Sequence, residues 1–415
     1  MKIFARGFVY IYPMGAALLT RRFRLFIIYP NIYREVYRMK QDLIRITRNI
    51  VRGKLPDPFL FEDGSRVRTK EDWLRRREEL FRIGVELPYG DRIPTPEYFR
   101  TDPLCLGSES HTYRITAGPK DCPVSFYMHL FMPDKASTKP WPVVIDGDMC
   151  WCDSYNREWL GAFLKKGIAV CMFNRCEIVS DVRSEGKRSP LYRAYPDLEF
   201  GALMAWAWGY SRCLDALLSL GYTDGSCVAF TGHSRGGKTA LLAGVLDDRA
   251  TIVNPNDSGC GGAGCYHNSV FAITEDGDEK REESVEAIID QFDYWFSEKF
   301  RIYYNNVEKM PFDAHYLKAL VAPRVLLEGN AASDLWANPV GSFQTASAAS
   351  EVYKFLDVPE NHYWYYRTGY HDHLPEDVER LAKLMLCGKG TDDEYYVTPF
   401  EKPEPIYDWR SPKAD

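Results

Sequence analysis

The segment at residues 232–236, with the sequence G-H-S-R-G, constrains the fold of this chain more than any other feature. It follows an apolar run at 227–231 that is typical of a buried strand, and it precedes a helical pattern at 238–246. A strand that passes into a helix through G-x-S-x-G predicts a tight turn with the serine at its tip. We therefore expect Ser234 to be a nucleophile, with the backbone N–H of Arg235 directed at an oxyanion.

Strands and helices alternate along most of the remaining chain. Apolar runs predict strands at residues 113–116, 124–132, 143–145, 168–173, 227–231, 251–253, 324–327 and 363–366. Helical patterns occupy residues 71–82, 203–220, 238–246 and 375–385. Helical crossovers between strands predict a mostly parallel central sheet flanked by helices on both faces, which is an α/β three-layer sandwich.

The composition changes along the chain and suggests three parts. We expect a catalytic domain at 55–388, with an insertion or lid over the sheet edge at about 254–313, where the alternation of strands and helices fails. Residues 1–54 are interpreted as a basic extension, with twelve Lys and Arg against two acids and a partly helical pattern over 33–51. Residues 389–415 are acidic, aromatic and rich in proline, which predicts an irregular tail over the surface.

Residues 7–20 carry no charge, but these 14 residues include Pro13 and are fewer than the ~20 apolar residues of a membrane-spanning helix. The stretch is similar to the apolar core of a signal peptide. However, the basic run 21–24 follows at once, without a clear cleavage site. We therefore expect no membrane span and a cytoplasmic protein, with secretion as the alternative.

The overall composition excludes several classes of partner. A net charge of −6 provides no cationic field for nucleic acid. The eleven cysteines are scattered and odd in number, which is typical of buried thiols and not of a disulfide framework. Their spacing also disfavours a structural zinc site. We expect no structural metal site, and we further expect a monomer.

A serine nucleophile requires a histidine base, and that base requires an acid to orient it. In the fold order of serine, acid and histidine, His371 follows the last predicted strand and precedes the last helix, which favours it over the nearby His373. Two residues are candidates for the acid, because each follows a predicted strand. They are Asp334, in the loop after 324–327, and Asp257, after 251–253.

Five segments together resemble the glucuronoyl esterases, carbohydrate-esterase family 15, in their bacterial form. They are G-H-S-R-G-G-K-T-A at 232–240, W-L-R-R-R-E-E-L at 73–80, A-W-A-W-G at 205–209, N-D-S-G-C-G-G at 256–262, and the stretch from 322 to 339. The resemblance covers residues 70–388 and implies an α/β-hydrolase fold without a cofactor.

The resemblance also implies roles for individual residues. Arg235 would contribute to the oxyanion hole through its main chain and its guanidinium. Lys238, Glu283 and Trp336 would contact the sugar, although the segment around Glu283 lacks the glycine of the family and follows a longer stretch. The acid of fungal members is a glutamate at the position of Asp257, whereas bacterial members can carry an acid at the position of Asp334. Since aspartate is one methylene shorter than glutamate, we predict that Asp334 is the acid, and Asp257 is the alternative.

The activity implied by the resemblance is a serine ester hydrolase that cleaves 4-O-methyl-glucuronoyl esters between glucuronoxylan and lignin alcohols. Its substrate would be a small-molecule or oligosaccharide uronate ester. One alternative is an esterase of the same fold that acts on acetyl-xylan or another small ester. The alternative of another class is a non-catalytic carbohydrate-binding or regulatory protein, which the intact set of serine, histidine and aspartate disfavours.

Overall fold

The structure is a computed structural model that describes residues 44–133, 138–150, 157–273, 277–391 and 393–412. The chain divides into two compact units, residues 1–42 and 43–415. The first unit lies outside the described residues, and so does the stretch at 7–20 that is similar to the core of a signal peptide.

A nine-stranded sheet forms the centre of the second unit. The strands are β2 Tyr98–Leu106, β3 Ser110–Gly118, β4 Val124–Phe131, β5 Val143–Asp146, β6 Ala169–Phe173, β7 Val228–His233, β8 Ile252–Asn256, β11 Val325–Ala331 and β12 His362–Arg367. Their spatial order is β12-β11-β8-β7-β5-β6-β4-β3-β2, in which β12 to β6 are parallel and β4, β3 and β2 are antiparallel.

Helices cover both faces of this sheet. Val143 and Ile145 of β5 belong to one large apolar cluster, while Val144 between them belongs to a second, so each face of the strand is buried. This arrangement confirms the predicted α/β sandwich. The helices are α1 Lys70–Phe81, α2 Leu87–Tyr89, α3 Arg157–Leu164, α4 Pro190–Ala194, α5 Ala202–Ser219, α6 Arg235–Leu246, α7 Val285–Phe292, α8 Ala314–Val321, α9 Pro339–Phe355 and α10 Pro375–Cys387.

A second, three-stranded sheet has the order β1-β9-β10, formed by β1 Arg45–Val51, β9 Asn268–Ile273 and β10 Glu279–Arg281. The helix predicted over 33–51 is therefore wrong in its described part, because Arg45–Val51 is a strand. Three of its seven residues are β-branched apolar residues, which favour extended backbone, and β9 supplies the antiparallel partner. This partner is more than 200 residues away in the chain, so the local pattern did not reveal it.

The predicted insertion at 254–313 begins too early. Residues 254–256 belong to β8, whose Asn256 pairs with His233 of β7 and with Gly329 of β11 in the central sheet. The tail after residue 389 contributes no helix or strand in its described part, yet it is anchored to the body. Trp409 is 8% exposed and donates its indole N–H to the carbonyl oxygen of Leu55 at 2.9 Å.

Within the described residues, no helix is both long and apolar enough to cross a membrane. The same part of the chain contains no cluster of three or more His, Cys, Asp or Glu side chains that is arranged to hold a metal ion.

Candidate active site

Ser234 lies at the junction of β7 and α6. Its backbone has φ 56° and ψ −122°, a conformation that strains a residue with a Cβ atom. A Cβ on Gly232 would lie 2.5 Å from the carbonyl carbon of Gly236, and a Cβ on Gly236 would overlap the carboxylate of Asp148. The turn therefore closes only with glycine at both positions, as the motif predicts. The Ser234 side chain lies at the N-terminus of α6, where the helix dipole is positive.

His371 joins Ser234 to Asp334. Its Nε2 lies 2.9 Å from Ser234 Oγ, and its Nδ1 lies 2.5 Å from Asp334 Oδ2. An ionised carboxylate only accepts hydrogen bonds, so Nδ1–H donates to Asp334, and Nε2 is available to accept the hydroxyl proton of Ser234. The second oxygen of Asp334 accepts from the backbone N–H of Ala337 at 3.2 Å. These contacts form the hydrogen-bonded chain that an activated serine requires.

Asp257, the alternative acid, makes different contacts. Its Oδ1 accepts from the backbone N–H of Ala331 at 2.6 Å, and its Oδ2 accepts from the guanidinium of Arg367 at 3.1 Å. Asp257 is 1% exposed, and burial raises its pKa well above the usual range, an effect to which the charge of Asp334 adds and which Arg367 opposes. The structure thus brings both acids to one edge of the sheet, but the acid that it joins to the histidine is Asp334.

His373, the alternative base, packs away from this chain of hydrogen bonds. Its ring is stacked on His233 at 5.5 Å and meets Trp159 edge-on at 5.8 Å. Burial lowers the pKa of His373 to about 4, so its imidazole is neutral at neutral pH. His233 also stays neutral, because burial and the neighbouring His373 and His371 lower its pKa well below the usual value.

Arg235 follows Ser234 and forms an ion pair with Asp181, with Nη1 2.6 Å from Oδ2. The guanidinium also lies over the Trp295 ring, 4.8 Å from its centroid, and over Phe292 at 5.1 Å. The other oxygen of Asp181 accepts from the Tyr294 hydroxyl at 2.7 Å and from the Trp295 indole at 2.9 Å. The side chain of Arg235, the residue that follows Ser234, is therefore held by a carboxylate whose own position is fixed.

Lys238, in the first turn of α6, contacts Glu283, and Glu283 in turn contacts Trp336. Lys238 Nζ donates to Glu283 Oε2 at 2.7 Å and to the Ser258 carbonyl oxygen at 2.6 Å, and both charged side chains are buried. Burial raises the pKa of Glu283, while Lys238 opposes the increase. The Glu283 N–H donates to the Trp336 carbonyl oxygen at 3.1 Å, and Trp336 itself is 38% exposed. This arrangement offers paired polar groups beside an accessible aromatic surface.

Comparisons with known proteins agree with this geometry. The family model described as "Glucuronyl esterase, fungi" matches residues 115–357. The curated 4-O-methyl-glucuronoyl methylesterase 1 of Wolfiporia cocos is 30% identical over 384 residues, which cover 87% of this chain and 90% of that protein. The chain belongs to the glucuronoyl esterase family.

Two solved structures extend the likeness to the whole fold. A carbohydrate esterase family 15 glucuronoyl esterase from Caldicellulosiruptor kristjansonii superimposes with a TM-score of 0.75 at 30% identity, over 92% of this chain and 99% of that one. The second is a glucuronoyl esterase variant from Sporotrichum thermophile in complex with methyl 4-O-methyl-β-D-glucopyranuronate. It superimposes with a TM-score of 0.67 at 26% identity, over 86% of this chain and 94% of that one. This member of the family is thus a carboxylic ester hydrolase with an α/β-hydrolase fold.

Several residues of this esterase support the site without belonging to any motif. Asp148 accepts from the backbone N–H of His233 at 2.9 Å and forms a buried ion pair with Arg175. Asp181 orients Arg235, as described above, and Arg367 reaches Asp257. One signal in the sequence pointed to Asp148, since it follows β5, the neighbour of the strand that bears the serine. Arg367 carries a comparable signal, since it ends β12 just before the His371 loop, whereas Asp181 carries none.

Proposed function

We propose that this protein hydrolyses 4-O-methyl-glucuronoyl esters, with Ser234 as nucleophile, His371 as base and Asp334 as acid. The observation that carries the proposal is the continuous hydrogen-bonded chain from Ser234 Oγ through His371 to Asp334. Arg235 follows the serine, and its guanidinium is fixed by an ion pair with Asp181. The name of the Wolfiporia cocos relative and the uronate ester bound by the Sporotrichum thermophile variant support this substrate class.

In the first half of the reaction, the hydroxyl proton of Ser234 passes to Nε2 of His371 while Oγ attacks the uronate carbonyl carbon. The carbonyl oxygen becomes an oxyanion, which the backbone N–H and guanidinium of Arg235 stabilise. Asp334 stabilises the imidazolium that forms. The proton on Nε2 then passes to the alcohol oxygen as the C–O bond breaks, which leaves a uronoyl ester on Ser234.

In the second half, His371 takes a proton from water, and the resulting hydroxide attacks the uronoyl carbonyl. Collapse of the second oxyanion returns the proton to Ser234 Oγ and releases the uronic acid. The buried Lys238–Glu283 pair and the exposed Trp336 are proposed to bind the sugar. A glucuronate ring offers hydroxyl groups for the ion pair and an apolar face for the indole.

We propose that the alcohol portion is a lignin-type alcohol attached to glucuronoxylan, and that the enzyme acts as a monomer. Access to the polymer requires export from the cell, because a polymer does not enter it. A cytoplasmic enzyme would act on internalised fragments. Cell fractionation of the native source, with the activity measured in medium and cytosol, distinguishes these two settings.

The test of the proposed function compares three esters: benzyl glucuronate, methyl glucuronate and p-nitrophenyl acetate. We expect the highest kcat/KM for benzyl glucuronate and the lowest for the acetate. Activity on the acetate alone would instead support an esterase for acetylated sugars or other small esters. No turnover of any ester by the folded protein would contradict catalysis altogether and support a binding role.

A further inference from the structure

The loop that carries His371, residues 368–373, follows directly on β12 and contains no helix or strand. Gly369 has φ 104° within this loop, a conformation that favours glycine. Such a loop needs contacts from outside to hold an imidazole within a few tenths of an ångström of its partners. Two of these contacts come from the acid loop, whose Ala332 and Ser333 donate backbone N–H groups to Arg367 and Gly369 at 2.7 and 3.1 Å.

The side chain of Arg367 supplies a third and more extensive set of contacts. Its Nη1 donates to the carbonyl oxygens of Thr368 and Tyr370, each at 3.3 Å, and its Nη2 donates to the carbonyl oxygen of Asp372. Tyr370 and Asp372 are the residues on either side of His371. One guanidinium therefore donates hydrogen bonds to the backbone on both sides of the histidine.

Two buried carboxylates hold that guanidinium in place. Asp377 accepts from Nε at 3.0 and 3.1 Å, and Asp257 accepts from Nη2 at 3.1 Å. Asp377 is fixed in turn by the Tyr365 hydroxyl at 2.8 Å and by the Leu374 N–H at 2.9 Å, at the start of α10. The five N–H donors of the guanidinium are thus all used, and its charge is compensated.

We propose that Arg367 is a positioning residue for the catalytic base, a clamp that fixes the backbone around His371 and is itself anchored by Asp257 and Asp377. The proposal rests on the proposed function, since it assigns the base to His371. It also gives Asp257 a role: this carboxylate connects Ala331, at the end of the strand that precedes the acid loop, to the clamp on the base loop.

A lysine at position 367 cannot replace the clamp, because one ammonium group lacks the planar fork that reaches three carbonyl oxygens and two carboxylates. We expect Arg367→Lys to lower kcat for benzyl glucuronate by about 10²-fold, since displacement of a catalytic group by about 1 Å has effects of this size. KM should change by less than about threefold, because the clamp does not contact the proposed sugar site.

Arg380→Lys is the matched control. Arg380 lies on α10, where its guanidinium stacks on the Tyr365 ring at 4.5 Å and donates to Glu376 and to the Glu394 carbonyl oxygen. It is also an arginine of this region, but none of these contacts is to the His371 loop. We expect the kcat of Arg380→Lys to stay within about threefold of the wild-type value, since substitutions outside the hydrogen-bonded network of a site have small effects.

Two further readouts separate positioning from a general effect on folding. One is the far-downfield proton resonance of the His371–Asp334 hydrogen bond in one-dimensional proton spectra, which should shift or broaden in Arg367→Lys and stay unchanged in Arg380→Lys. The other is Arg367→Ala with added guanidinium ion, which should recover part of kcat. If Arg367→Ala does not fold, Asp257→Asn replaces it, with an expected loss of kcat of at most about 10²-fold.

The outcomes are distinguishable. A wild-type protein that cleaves none of the three esters would contradict the proposed function itself. A wild-type protein that is active, together with an Arg367→Lys variant that keeps kcat and the downfield resonance, would overturn the clamp alone. A loss of thermal stability in Arg367→Lys with kcat retained in the folded fraction would also overturn it.

Discussion

The contrast between Asp334 and Asp257 offers the sharpest prediction, because both carboxylates lie at the same edge of the sheet. In Asp334→Asn, the side-chain amide has one oxygen in place of two. In the native protein, the backbone N–H of Ala337 donates to Asp334 Oδ1 at 3.2 Å. The asparagine oxygen must keep this acceptor position, so the NH₂ group faces Nδ1 of His371. Nδ1 must then be the unprotonated nitrogen, and the proton moves to Nε2.

Nε2 lies 2.9 Å from Ser234 Oγ, but in the tautomer with a proton on Nε2 it cannot accept the hydroxyl proton of the serine. We therefore expect kcat to fall by roughly 10⁴-fold, as when the acid of such a triad becomes an amide. This loss corresponds to about 5.5 kcal/mol at about 1.36 kcal/mol per tenfold change in rate. KM should change little, because the sugar contacts proposed for Lys238 and Trp336 remain.

Asp257→Asn should be much milder. Its amide oxygen can still accept from the Ala331 N–H, but its NH₂ group would then face the guanidinium of Arg367. The effect on His371 is transmitted only through the clamp, so we expect a loss of kcat of at most about 10²-fold, or about 2.7 kcal/mol.

Steady-state hydrolysis of benzyl glucuronate, followed by release of benzyl alcohol, measures both variants. Asp372→Asn is the control, since it removes an exposed carboxylate next to His371. The assignment of the acid is refuted if Asp257→Asn loses 10⁴-fold in kcat while Asp334→Asn stays within tenfold of the wild type.

Three further predictions concern the nucleophile, the turn and a buried histidine. Ser234→Ala should lower kcat by on the order of 10⁶-fold with binding retained, whereas Ser350→Ala, at a second serine hydrogen-bonded to a histidine, should keep full activity. Gly236→Ala should destabilise the fold by about 3 kcal/mol in urea unfolding, because its Cβ overlaps Asp148; an unchanged midpoint would contradict this. Burial lowers the pKa of His315 from 6.5 to about 4. The unfolded chain therefore binds a proton that the folded chain does not, and stability should fall as the pH drops through this window, by up to about 1.4 kcal/mol per unit. The slope of the unfolding free energy against pH should be smaller in His315→Gln, and an equal slope would refute the assignment.

Features that depend on local sequence were predictable. The turn at Ser234 needs only residues within two positions of the serine. The buried strands β5 to β8 are short apolar runs, which can be assigned as strands without knowledge of their distant partners. The proximity of His371 to Ser234 could be inferred from chain order, because the loop after the last strand reaches the same edge of the sheet as the turn at Ser234.

Features that depend on distant partners were not predictable in the same way. Arg45–Val51 became a strand because β9 offers it an antiparallel edge, which no property of residues 33–51 reveals. Asp181 and Arg367 are single charged residues in stretches without a motif, and their roles follow only from which loops the fold brings together. The acid was a choice between two aspartates, and side-chain reach to His371 could be judged only in three dimensions.

The two buried carboxylates at the end of the sheet, Asp334 and Asp257, face different partners. Asp334 accepts one hydrogen bond from His371, so its negative charge lies where the imidazolium forms. Asp257 is also buried, but its carboxylate faces Arg367, whose charge opposes the rise of its pKa. Burial and the nearby charge of Asp334 both raise the pKa of Asp257, as a like charge at close range does. The guanidinium therefore offsets part of the repulsion between the two carboxylates, and at the same time it holds the backbone on both sides of His371.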